Sequence, residues 1–548
     1  MVALREFFDS YYRLRPVNAT FTGVHEFDDR LPDWSPSGLD AAIDEMRSVR
    51  TRLEAGRTGA DLSDVVTRDR ELAISFLDLQ IAEHEGLHFQ RGNPSLVAGE
   101  AAFGIISLMT RPFAPVDVRA RSAAARLRAV PRFLDGAARS IAGVPDQWRT
   151  KTLRECDGAD TLLGTGIERW IAADGIPSAL ARELTDAAEA AKKGFGSFRG
   201  WLTNAPSAPA SRYSAGAEFF DRCLSRGHWC TRDRGALARD AREALDQALR
   251  DLAAMARKAA AGGWPEVQSR LTADHPSVSD YLPAYQRMWD ACRLAADERQ
   301  LVSWPDYPIR YVPIPVQTRD AAPFLYYLFY RSPAPFDRLP FHEYVVTPIE
   351  VTMAVDEQER RLRAANHSVI ALNHVVHHGA IGHHVQNSYA YDGTSEIGRV
   401  AAVDCASRIG MFLGGSMAEG WACYATDLMD ESGFFGPDVS IAQQHTRARL
   451  LARAVVDIGL HEGSLSFEEA AAVYWDRVGM AEEAARAEVC KNSMFPGTAV
   501  MYWLGTEGIH RLRRDHAREC GSLRQFHDRL LSFGSIPVPL IERIWADQ

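Results

Sequence analysis

Residues 66–90 read VTRDRELAISFLDLQIAEHEGLHFQ, and this stretch sets the pattern for the first half of the chain. Leu72, Phe76, Leu79 and Ile81 recur among charged positions at helical spacing. Residues 117–143, 176–202 and 234–261 behave likewise, dominated by Ala, Arg, Leu and Glu, which all favour helix. A loop rich in Ala, Pro and Ser, Thr203–Gly216, breaks the series, and Gly262–Pro265 breaks it again. The character changes over 304–350, where nine prolines separate the β-rich runs Ile309–Val316, Phe324–Tyr330 and Tyr344–Val346. This predicts a small irregular sheet or hairpin. Helical patterning resumes from about Ile349 to the end. The expected architecture is mainly α with one small inserted β element: an N-terminal helical lobe at 1–300, the β element at 301–350 and a C-terminal helical lobe at 351–548.

A length of 548 residues exceeds one ordinary core. Hydrophobic residues make up 46% and charged residues 24%, the balance of a globular protein. A net charge of −10 gives no electrostatic attraction to nucleic acid or to an anionic membrane. The most apolar runs, such as Phe103–Met109, are far short of the roughly 20 residues that cross a bilayer. Met1–Arg15 carries Arg5, Asp9 and Arg13 within its apolar pattern, unlike a secretory leader. The eight cysteines are dispersed without a CxxC pair, including Cys405, and predict reduced thiols in a cytoplasmic protein.

The run NHVVHHGAIGHHVQ, 373–386, concentrates His374, His377, His378, His383 and His384 in eleven residues. Neutral imidazole is the usual nitrogen ligand of zinc. His374 and His378 have the i, i+4 spacing that grips one ion from one helix face. His377 and His383 lie six residues apart and meet only if the helix breaks, which Gly379 and Gly382 allow. A third ligand is offered by Glu419, the one acidic residue in the small and apolar stretch Ser416–Ala425. The bland alternative pairs Glu419 with Arg408 or Arg453.

These runs resemble a bacterial domain-of-unknown-function family, number 885, whose pattern is H-E-x-x-P-G-H-H-x-Q, then E-G-W-A-x-Y. An R-x-x-x-D-x-x-x-H segment and a P-G-x-A-x-x-Y-x-x-G segment follow. Here they are matched by His377–Gln386, by Glu419–Gly420–Trp421–Ala422–Cys423–Tyr424, by Arg453, Asp457 and His461, and by Pro496–Gly505. Asn18–Gly23 carries a weaker likeness in the N-terminal half. The resemblance implies a two-lobed fold like the helical zinc carboxypeptidases of the Taq type, with a deep groove. It also implies a metallopeptidase-like site with His377, His383 and Glu419 as zinc ligands and a peptide or small amide as substrate.

Two positions depart from that pattern: His378 stands where the family has Glu, and Ile381 where it has Pro. In zinc peptidases that Glu is the general base, and losing a base costs about 10²–10⁴ in rate. Three outcomes remain open. The chain is an inactive relative that binds a peptide or small ligand, or it uses His378 as base or extra ligand, or it runs a different reaction. Tyr502 and His461 are candidate oxyanion donors, and Gln386 a candidate for orienting a ligand. Arg453 and Asp457 have ion-pair spacing, and Ile309–Val316 offers a strand edge to a peptide. A competing site is the literal H-E-x-x-H at His84–Glu85–Gly86–Leu87–His88, with His84 and His88 as ligands and Glu85 as base.

Overall fold

The computed structural model describes residues 2–56, 61–325, 333–337, 339–403 and 407–546. Helices dominate, and the described strands are two. The chain divides into two compact units, Met1–Tyr213 with Ile314–Leu339, and Ser214–Pro313 with Pro340–Gln548.

In the first unit, helix α1 spans Val65–Glu85 and starts where the Asp64 carboxylate accepts the Thr67 N–H. Leu72, Phe76, Leu79 and Ile81 are buried on it, as their spacing predicts. Helix α2, Pro94–Thr110, is buried along most of its length. Helix α3, Val116–Ala138, turns Ala120, Ala123, Leu127, Val130 and Leu134 onto helix α4, Ser178–Asn204. From α4 come Leu184, Ala187, Ala191, Phe195 and Phe198. Each such leucine or phenylalanine, once buried, contributes about 1.5–3 kcal/mol.

In the second unit, helix α5 is Arg234–Ala259 and α6 is Tyr281–Glu298. Strands β1, Ile309–Pro313, and β2, His342–Val346, follow. A π-wound helix α7, Ile370–Gly379, then leads to α8, His383–Asp392. The unit's long helices are α9, Gly415–Glu431, α10, Pro437–Glu462, and α11, Val500–His516. Helix α5 packs on α10, and α9 on α11.

Two expectations need correction. The compact units separate after Tyr213, not near residue 300, because α5 and α6 bury their apolar faces against the later helices α10 and α7. Nor is 301–350 one self-contained element. Strands β1 and β2 pair in parallel, Ile309 opposite His342 and Pro313 opposite Val346, so they form no hairpin. Parallel neighbours need a long return connection, and residues 314–339 of it belong to the first unit. Of the expected extended run Phe324–Tyr330, residues 326–330 lie outside the described residues, as does Cys405.

Candidate metal centre

The hinge between α7 and α8 builds the site. Helix α7 is wound as a π-helix throughout, with the wider turn often found at functional sites. That winding takes His374 and His378 out of i, i+4 register. The Nδ1 of His374 meets the Tyr344 hydroxyl at 2.7 Å, and the ring lies among tyrosines 285 and 344. The chain then breaks at Ala380 and Gly382 and restarts as α8 at His383. The break folds tightly: a Cβ on Gly382 would lie 1.9 Å from the His377 carbonyl oxygen. Two indoles hold it, Trp289 donating to the Gly379 carbonyl and Trp421 to the Ile381 carbonyl, both at 2.8 Å.

The result is convergence. Ring nitrogens of His377, His378 and His383 lie within 4.8 Å of one another, a single group of this kind among the described residues. From α9, Glu419 Oε2 reaches 3.4 Å from the Nε2 of both His377 and His383. Its other oxygen accepts the Tyr502 hydroxyl at 2.9 Å. Tyr502 comes this close because α9 and α11 touch through glycines: a Cβ on Gly420 would lie 2.5 Å from the Gly505 backbone.

Burial pushes the His377 and His378 imidazoles below their ordinary value, helped for His378 by its histidine neighbours. Burial alone would raise the Glu419 carboxyl, but His383 and His377 hold it well below the usual carboxylate range. Near neutral pH the His377 and His378 imidazoles are therefore unprotonated, and the Glu419 carboxyl is ionised. His378 donates Nδ1–H to the Asn373 carbonyl at 2.7 Å, which fixes Nε2 as its lone-pair nitrogen.

These residues fit a zinc ion. Tetrahedral zinc with arms of about 2.0–2.1 Å sets its ligand atoms about 3.3–3.4 Å apart, and the two Glu419 separations are 3.4 Å. Glu419 Oε2 is also buried without a hydrogen-bond donor, a costly state for a carboxylate that no cation satisfies.

Other expected residues lie elsewhere. The Nδ1 of His461 accepts the Ala215 N–H and its Nε2–H donates to the Asn492 carbonyl, so both ring nitrogens serve the backbone and neither is an oxyanion donor. Asp457 accepts the N–H groups of Gly497, Ala499 and Val500, while Arg453 pairs with Glu488 at 2.6 Å, replacing the expected Arg453–Asp457 pair. Gln386 donates to Ser535, and His384 donates to the Tyr307 carbonyl. The H-E-x-x-H run fails as a site because α1 ends at Glu85 and Gly86 is extended, which takes His88 off the helix. Sequence reasoning missed the carbonyl clamp of Trp421, although the Trp of E-G-W-A signalled it.

Residues 16–544 match the model of a family described as "Bacterial protein of unknown function (DUF885)", and the chain belongs to that family. Two solved structures share the fold. One, described as a putative lipoprotein of unknown function from Shewanella oneidensis, is 20% identical with a TM-score of 0.76, covering 99% of each chain. The other, a putative lipoprotein from Colwellia psychrerythraea, is 16% identical with a TM-score of 0.77, covering 100% of this chain and 99% of that one. No curated protein matches the chain.

Proposed function

We propose that the chain is a metal-dependent hydrolase of an amide or peptide bond, with zinc held by His377, His383 and Glu419. The observation that carries this is the buried Glu419 Oε2, equidistant from two imidazoles and without a donor. Zinc there would supply a Lewis acid to a carbonyl oxygen and to water. The chain's own groups do the rest. His378, its Nε2 lone pair set by the Asn373 bond, takes the proton that a Glu takes in the family pattern. Tyr502 supports Glu419. The same donor set supports the likeness to the helical zinc carboxypeptidases of the Taq type.

A second reading, an inactive relative that binds a peptide or small ligand, rests on the imidazole at 378 in place of the carboxylate. Elemental analysis and a peptide-hydrolysis screen on the full chain separate the two. The first reading expects about one zinc per chain and turnover, both lost in Glu419→Ala. Protein prepared in excess zinc that holds no metal overturns it; metal without turnover across the screen favours the second reading.

For location we propose the cytoplasm. None of the described cysteines forms a disulfide, and six of those seven are buried, which supports a reducing compartment. No helix among the described residues is long and apolar enough to cross a membrane. The lipoprotein descriptions of the two structural relatives argue for the cell envelope instead, and recovery of the native protein with envelope fractions overturns the cytoplasmic proposal.

A further inference from the structure

Arginine 449 is an incompletely bonded guanidinium in the electrostatic neighbourhood of Arg453, Glu488 and Tyr502. Two buried arginines are well satisfied: Arg126 donates to the carbonyls of Arg30, Gly104 and Pro16, and Arg119 to the Leu108 carbonyl and Asp174. Arg449 is half-buried, its Nε is enclosed without an acceptor, and it has no ion-pair partner among the described residues. A partly enclosed cation that shares its nearest counter-charge with a second cation has spare capacity for an anion.

Its position ties it to the metal centre. Arg449 precedes Arg453 by one turn on α10, so the two share a helix face. The Arg453 guanidinium lies 5.1 Å over the Tyr502 ring, and the Tyr502 hydroxyl binds Glu419. The acid beside them, Glu488, is already bonded to Arg453. Two positive groups thus meet one negative group next to the candidate zinc ligands. Burial and the Arg453 charge depress the Arg449 pKa against the opposing pull of Glu488, in keeping with two cations sharing one carboxylate.

We infer that Arg449 is a specificity residue that binds a carboxylate of the substrate beside the metal centre, with Arg453 locked by Glu488 as its positioning neighbour. This rests on the hydrolase reading. A guanidinium fork suits a carboxylate, and such charge-assisted pairs are the stronger hydrogen bonds. The carboxylate has two sources, a free peptide C-terminus or an Asp or Glu side chain.

Binding, not turnover, tests it. Full-length protein is titrated calorimetrically with N-acetyl-Ala-Ala, with its C-terminal amide, and with N-acetyl-Ala-Asp-amide, and zinc content is measured on the same samples. The expected result is that one of the two carboxylate peptides binds roughly ten- to hundredfold tighter than the neutral amide. Which one does so identifies the source. In Arg449→Gln that preference disappears while zinc content is unchanged, and Arg449→Lys restores it in part. Equal affinity of the wild type for all three peptides overturns the inference even if Arg449→Gln fails to fold. So does a preference that persists in folded Arg449→Gln. Loss of zinc from the wild type defeats the hydrolase reading alone, because the peptide preference is still read from the titration.

Discussion

His84–His88 and His377–His383 are two histidine runs of similar length with opposite outcomes. The first carries the literal zinc-peptidase spelling. Yet its helix stops at Glu85, the His84 Nδ1–H is spent on the Gln80 carbonyl, and Glu85 faces solvent in a 2.5 Å pair with Arg47. The second lacks the spelling, but its glycine hinge folds one helix end against the next, and a buried carboxylate arrives from α9. A spacing rule presumes a continuous helix. Where the backbone breaks, the geometry of the break decides which imidazoles meet.

The sharpest way to press this contrast is to restore the family's carboxylate. His378→Glu is expected to raise hydrolysis of any peptide the wild type cleaves by about 10²–10⁴, read as kcat/KM at saturating zinc. An unchanged or lower rate would mean that His378 is not standing in for the base. Next comes the hinge. Gly382→Ala forces a Cβ into the His377 carbonyl and is expected to destabilise the protein by about 2–4 kcal/mol in urea unfolding. Gly86→Ala, at the end of the first run with φ −73°, is expected to stay within about 1 kcal/mol of wild type. Equal effects at the two glycines would erase the distinction. Tyr502→Phe removes the hydroxyl that supports Glu419 and is expected to weaken zinc affinity about 10–100-fold in a chelator competition. The smallest effect belongs to Glu85→Ala: about 0–1 kcal/mol for a surface pair, with no change in zinc content. A fall in zinc there would revive the first run as a metal site.

The helices were legible wherever an apolar face repeated, as at Leu72, Phe76 and Leu79, because burial follows periodicity. So was the meeting of His377, His383 and Glu419, since two glycines flagged the break and a lone acid stood in an apolar stretch. The parallel pairing of β1 and β2 was not legible, because strand propensity carries no information about direction. The division after Tyr213 was hidden as well: α5 looks like the helices before it, and only its packing on α10 assigns it to the second unit. His461 misled because a motif position does not reveal which atoms its ring meets. Arg449 gave no signal at all, since an arginine with an unfilled Nε looks in sequence like any other.

The backbone contact at Gly420 and Gly505 has a consequence for how this protein can change over time. The separation of Glu419 and Tyr502 is set by two main chains pressed together, not by the size of the side chains around them. Neighbouring residues are therefore at liberty to drift, as long as these two positions stay bare. A lineage could recast the surrounding pocket for new substrates while inheriting the same carboxylate and phenol at a fixed spacing.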